Sequence, residues 1–242
     1  MWSHPPHRRL LLPFLFSLLC LWHFTTTSTS SAPSPLALPV CSHQARTNPS
    51  TQHGPVSSAA LLQNLRTLLS AGVACFDLDL SPLSPGSTAV AHPAALAAAG
   101  GARAGAADYS ALFELLGGSP ALPRLTLELK PPLGEDSALV AALAARAAAA
   151  GLLPRLAVLG LAPGAPLPPG LHRGLAVRDD RGCALAELTP AVSLVMPSKA
   201  CWAQARVRQA IEQWAATQAP TPANLLAGEV HVWVVDEAAT AR

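Results

Sequence analysis

Lysine is almost missing from the 242 residues: only Lys130 and Lys199 occur, Tyr109 is the single tyrosine, and charged residues make up 12% of the chain. The formal charge is +2, with Arg8 and Arg9 supplying both excess positives. Beyond the first thirty or so residues, basic and acidic side chains balance. No basic stripe is left to hold nucleic acid. No CxxC pair is present, so the usual spacing of a structural zinc site is absent. An open doubly wound sheet would carry a glycine-rich phosphate turn after its first strand. Here the first strand candidate runs into Ser42-His43-Gln44-Ala45 instead.

The N-terminus reads as targeting. Arg8-Arg9 precede Leu10 to Trp22, thirteen mostly apolar residues, and a small polar exit from Thr25 to Ala32 follows. That order suits a secretory signal, and the run is short for a bilayer span of ~20 residues. Residues 1–32 are therefore read as a signal peptide or signal anchor, and 33–38 as a Ser/Pro-rich linker. The expected location is the secretory pathway or outside the cell, with membrane proximity if the segment is retained; organellar targeting fits less well. Apart from Cys20 in the leader, Cys41, Cys75, Cys183 and Cys201 remain. Four cysteines in such a setting permit three disulfide pairings, or buried thiols.

Residues 39–242 alternate short apolar runs with Ala-rich helical stretches. Strands are expected at 38–43, 73–80, 125–130, 156–161, 174–177, 192–196 and 230–235. Helices are expected at 58–70, 109–116, 136–150 and 201–216, with Gly72 closing the first and Asp136 capping the third. Residues 81–105 read as a long loop. Seven β-α units in strict order predict a parallel sheet of the α/β class. Polar residues at the ends of the first three strands match the catalytic face of a TIM-type (β/α)8 barrel, with seven of its eight units read in the sequence.

The scarce charges fall at those strand ends. Strand side chains alternate faces, so Asp77 shares a face with Asp79, and Glu128 with Lys130. His43 ends the first strand, and His92 follows the second. Buried carboxylates are costly unless a cation or base offsets them. Three carboxylates, a lysine and two histidines at one end of a sheet point to a metal-assisted site for an anionic substrate. The same parity turns Cys41 and Cys75 inward, one layer below His43 and Asp77, close enough for a disulfide.

Ser42-His43, Phe76-Asp77-Leu78-Asp79, Ala91-His92-Pro93, Leu127-Glu128-Leu129-Lys130 and Val232-Trp233-Val234-Val235-Asp236, in that order, resemble the glycerophosphodiester phosphodiesterases. These belong to the phospholipase-C-like phosphodiesterase superfamily of TIM barrels. The resemblance implies His43 and His92 as the general acid/base pair, and Asp77, Asp79 and Glu128 as ligands of a divalent cation, Mg or Ca. It also implies Lys130 as the phosphate-neutralising residue, Trp233 as a wall of the alcohol pocket, and a small phosphodiester or lipid-derived substrate. The family's His-Arg-Gly is here His43-Gln44-Ala45, with Arg46 two residues past Gln44 as the candidate anion contact, and its Glu-x-Asp is Asp77-x-Asp79. Alternative readings are a phosphatidylinositol phospholipase C-like enzyme, a Golgi glycosyltransferase using the DxD, and an inactive secreted barrel acting as a binding module.

Overall fold

A computed structural model describes residues 41–47, 55, 57–73, 75–84, 86–100, 105–120 and 123–232. The leader, the linker and Trp233 lie outside the described residues. In chain order the elements are β1 (Ser42–His43), α1 (Ser58–Ser70), β2 (Cys75–Ser84), β3 (Ser87–Val90), α2 (Pro93–Ala98), α3 (Tyr109–Gly117), β4 (Arg124–Leu129), α4 (Ser137–Ala149), β5 (Leu156–Leu159), β6 (His172–Val177), β7 (Val192–Pro197), α5 (Lys199–Ala203), α6 (Ala205–Ala216) and β8 (Glu229–Val230).

The strands form one sheet in the order β1-β2-β4-β5-β6-β7-β8, every neighbouring pair parallel, with β3 added antiparallel on β2. The result is a curled, seven-strand parallel half-barrel flanked by helices. Alternation separates its two faces. Outward residues Phe76, Leu78, Leu125, Leu127 and Val158 pack under Leu61 and Leu65 of α1, Phe113 of α3 and Leu143 of α4. Inward residues Ala157, Leu159, Leu194 and Met196 form a smaller apolar cluster with Leu226. The curl brings Arg124 of β4 into an ion pair with Glu229 of β8 across the interior.

Local chemistry sets the element ends. Ser57 caps α1 by accepting from the Ala60 N–H, and Asp136 caps α4 by accepting from Ala138 and Leu139 at 3.0 Å each. Gly72 closes α1 at φ +83°, a conformation only glycine adopts without cost. Two expectations are corrected. Residues 81–105 are not a long loop: β2 continues to Ser84 and turns back as β3, whose hairpin leads into α2 and delivers His92. The helix expected over 201–216 is broken at Gln204, whose ψ of 115° is extended. The side-chain amide of Gln204 donates to Cys183 Sγ at 3.2 Å, and Cys183 is itself bonded to Cys201. Elsewhere β6 begins at His172, two residues before the expected Gly174.

Two glycines fix the segment after β4. A Cβ on Gly134 would collide with the Gly160 carbonyl, and one on Gly160, at φ +74°, with the Leu129 carbonyl. Backbone thus packs on backbone around Lys130. Gly134→Ala and Gly160→Ala should each cost about 1–3 kcal/mol, the usual toll of overpacking. Urea midpoints indistinguishable from wild type would contradict that close approach.

Candidate functional site

Register places the candidate side chains. His43 lies beside Asp77 as a Cα partner across β1 and β2, and Asp79 beside Glu128 across β2 and β4. His43 Nδ1 is 2.7 Å from Asp77 Oδ2, and Lys130 Nζ bridges Asp79 Oδ1 at 2.8 Å and Glu128 Oε2 at 2.9 Å. Gln44 Nε2 donates to the second Asp79 oxygen at 3.0 Å. Arg178, just beyond β6, pairs with the other Glu128 oxygen. Asp77 and Asp79 are 6% and 3% exposed, so these bonds stand in for water the carboxylates have lost.

Burial opposes a charge on His43. The hydrogen bond to Asp77 and the nearby charges of Asp77 and Asp79 outweigh that opposition, even with Lys130 acting against them, so its pKa is raised above 6.5. Gln44 and Ala45 make the close turn after β1 with positive φ, 54° and 49°. Non-glycine residues take that conformation at a cost, which here aims the Gln44 amide at Asp79.

His92 caps α2, its Nδ1 accepting the Ala94 N–H at 3.1 Å. With Gln44 and Asp79 it lines one small cavity of about 10 Å³. Arg46 is half-buried past the turn, its backbone N–H on the His43 carbonyl at 3.3 Å.

Glu128, Lys130 and Arg178 of the cluster line a cleft of about 920 Å³ that runs past the ends of β4 and β5 and along β6. Lys130, Arg173, Arg178 and Arg181 line it together with Glu128, and Pro131, Pro132, Leu161, Pro163 and Leu167 form an apolar wall. The chain matches no family model, no curated protein and no solved structure.

Sequence reasoning missed Arg178, because only the curl of the sheet carries the end of β6 to Glu128. It also does not single out His231. His231 follows Glu229 by two, so alternation gives both the same parity, but only the curl of the sheet brings that end of β8 onto Cys41 and Cys75. Its Nδ1 lies beside Cys41 and Cys75, and the three ligand atoms are within 4.8 Å of one another. A candidate Cys/His metal cluster therefore exists without any CxxC, although its two sulfurs are joined as a disulfide with Cα atoms 4.5 Å apart. The Cys41–Cys75 and Cys183–Cys201 disulfides are consistent with an oxidising, secreted setting. No helix among the described residues is long and apolar enough to cross a membrane.

Proposed function

We propose that the chain is a phosphoric diester hydrolase of the glycerophosphodiester phosphodiesterase type, built on a (β/α)8-type barrel. One observation carries the reading. The His43–Asp77 pair lies beside the Asp79–Lys130–Glu128–Arg178 chain at the strand ends, and Glu128, Lys130 and Arg178 of that chain line an arginine-rich cleft. Opposite charges so arranged suit an anionic ester with groups on both sides to be activated.

The donor set has the chemistry of a divalent-cation site but not its spacing: among the described residues Asp77, Asp79 and Glu128 do not bring their oxygens within 4.8 Å of one another as a group, and Lys130 Nζ sits between Asp79 and Glu128. Three hard carboxylates face two fixed cations, Lys130 and Arg178, and each carboxylate has about four lone-pair sites, more than its present bonds use. Asp77, Asp79 and Glu128 would hold Mg or Ca, which prefer oxygen ligands. When bound, the cation would withdraw charge from a phosphoryl oxygen.

The chain's own groups do the rest. Lys130 and Arg178 draw in the phosphate; Arg178 supplies the guanidinium that the position after His43 lacks, since the Gln44 amide is committed to Asp79. With Nδ1 held by Asp77, His43 exchanges its proton at Nε2 and serves as base toward the attacking hydroxyl. The cap bond engages His92 Nδ1, so Nε2 is the nitrogen that would meet the leaving alcohol; it can give up a proton there only from the doubly protonated ring, which requires Nδ1 to release the Ala94 N–H. The apolar wall of Pro131, Pro132 and Leu161 suits a lipid-derived alcohol.

Purified chain should hydrolyse glycerophosphocholine or bis(4-nitrophenyl) phosphate, lose that activity in EDTA and regain it with Mg or Ca. Hydrolysis indifferent to chelator would remove the cation from the reading. No hydrolysis under any of these conditions would turn it toward a binding module.

A further inference from the structure

The interior holds a second cluster, one layer below the first. His231 is 2% exposed, and its Nε2 lies 2.9 Å from Glu229 Oε2. A carboxylate only accepts, so the ring proton sits on Nε2, and Nδ1 of the neutral ring is a lone pair. That lone pair meets Cys41 Sγ at 3.3 Å and Cys75 Sγ at 3.6 Å. Disulfide sulfurs carry no proton, so a buried ring nitrogen faces two groups unable to donate to it. Ligand atoms around a tetrahedral ion with bonds of about 2.0–2.3 Å lie about 3.3–3.8 Å apart. The two nitrogen–sulfur separations already fall in that range.

We propose that reduction of Cys41–Cys75 converts this cluster into a site for a soft cation, Zn2+ above all, bound by Cys41 Sγ, Cys75 Sγ and His231 Nδ1. A dithiol reductant supplies the two electrons: it closes to its own disulfide while the Cys41–Cys75 bond opens to two thiols. Zn2+ then displaces both thiol protons into solvent. Two thiolates cancel the charge of the ion, which lowers the cost of placing it in the interior. Water completes the fourth position. Glu229 orients the imidazole and fixes its tautomer, as carboxylates beside zinc-bound histidines do. Disulfide and metal are thus alternative clips between β1 and β2, directly beneath the His43–Asp77 pair.

The test uses the full chain carrying Cys20→Ser, so that the leader contributes no thiol, and Co2+ as the probe. After reduction with a phosphine, Co2+ should give thiolate-to-metal charge-transfer absorption that saturates at a single ion per chain and is displaced by Zn2+. The oxidised chain should give none. Glu229→Gln should weaken binding about 10–100-fold, and His231→Ala more. Cys183→Ala/Cys201→Ala should leave the signal intact. Absence of charge transfer in the reduced chain, or its survival unchanged in His231→Ala, overturns the site. Should His231→Ala fail to fold, His231→Gln carries the same test. Loss of the signal in Cys183→Ala/Cys201→Ala would also overturn it, because the thiolates would then be the wrong pair.

Discussion

His43→Ala should slow phosphodiester hydrolysis at saturating cation by about 10²–10⁴, the usual worth of a positioned acid or base. His92→Asn should produce a loss of similar size for a different reason. Asparagine is among the best N-cap residues, so it keeps the bond to the Ala94 N–H that His92 makes at 3.1 Å and removes only the proton donor. His92→Ala would add about 1 kcal/mol of destabilisation from the lost cap. The comparison separates chemistry from architecture. If His92→Asn keeps wild-type kcat, His92 is a cap alone; if His43→Ala keeps it, the acid/base work lies elsewhere.

The same histidine leaves a mark on stability. In EDTA, folded His43 holds its proton more tightly than the unfolded chain does, because Asp77 and Asp79 outweigh its burial. Its contribution is then fully present below the ordinary value of 6.5 and fades as pH rises through the folded pKa. His172 has the opposite sign: burial lowers its pKa against a weaker opposing bond to the Ala223 carbonyl, so its contribution is present above 6.5 and lost as pH falls. Subtracting His43→Asn urea midpoints from wild type across about pH 5 to 8 cancels the His172 term. A difference that grows with pH would reverse the sign assigned to the His43–Asp77 pair.

What could be read from the sequence followed from short-range periodicity. Alternation alone put Asp77 with Asp79, and β2 and β4 pair with Asp79 opposite Glu128. Gly72 marked the end of α1, and Asp136 marked the start of α4. Cys41 and Cys75, each two residues before an inward polar residue, indicated neighbours that the sheet does join. Three features resisted the same reading because their causes are long-range. Arg178 reaches Glu128 from fifty residues away, and only the curvature of the sheet makes that contact. His231 meets the disulfide from the far edge of the half-barrel. The break at Gln204 answers to the Cys183–Cys201 bond, not to helix propensity. The resemblance to the phosphodiesterases supplied roles for residues whose grouping is visible here; those roles rest on the kinetic tests.

Asp79→Ala should destabilise the chain by about 3–5 kcal/mol, the range for removing one partner of a buried pair. Both Asp79 oxygens are engaged, one by Lys130 Nζ at 2.8 Å and one by Gln44 Nε2 at 3.0 Å, and the residue is 3% exposed. Its loss leaves a largely buried ammonium with Glu128 alone and removes the Asp79 oxygen to which the Gln44 amide donates. Most of the cost is therefore the burden on the groups left behind, and a paired replacement should relieve it. Asp79→Leu with Lys130→Met removes both charges while keeping the branched shape of one side chain and the length of the other, so its urea midpoint should recover much of the deficit. Hydrolysis should not recover, because the double variant has lost a proposed cation ligand and the lysine that meets the phosphate. Activity that returned along with stability would show that Asp79 and Lys130 hold the strand ends together and take no part in the reaction.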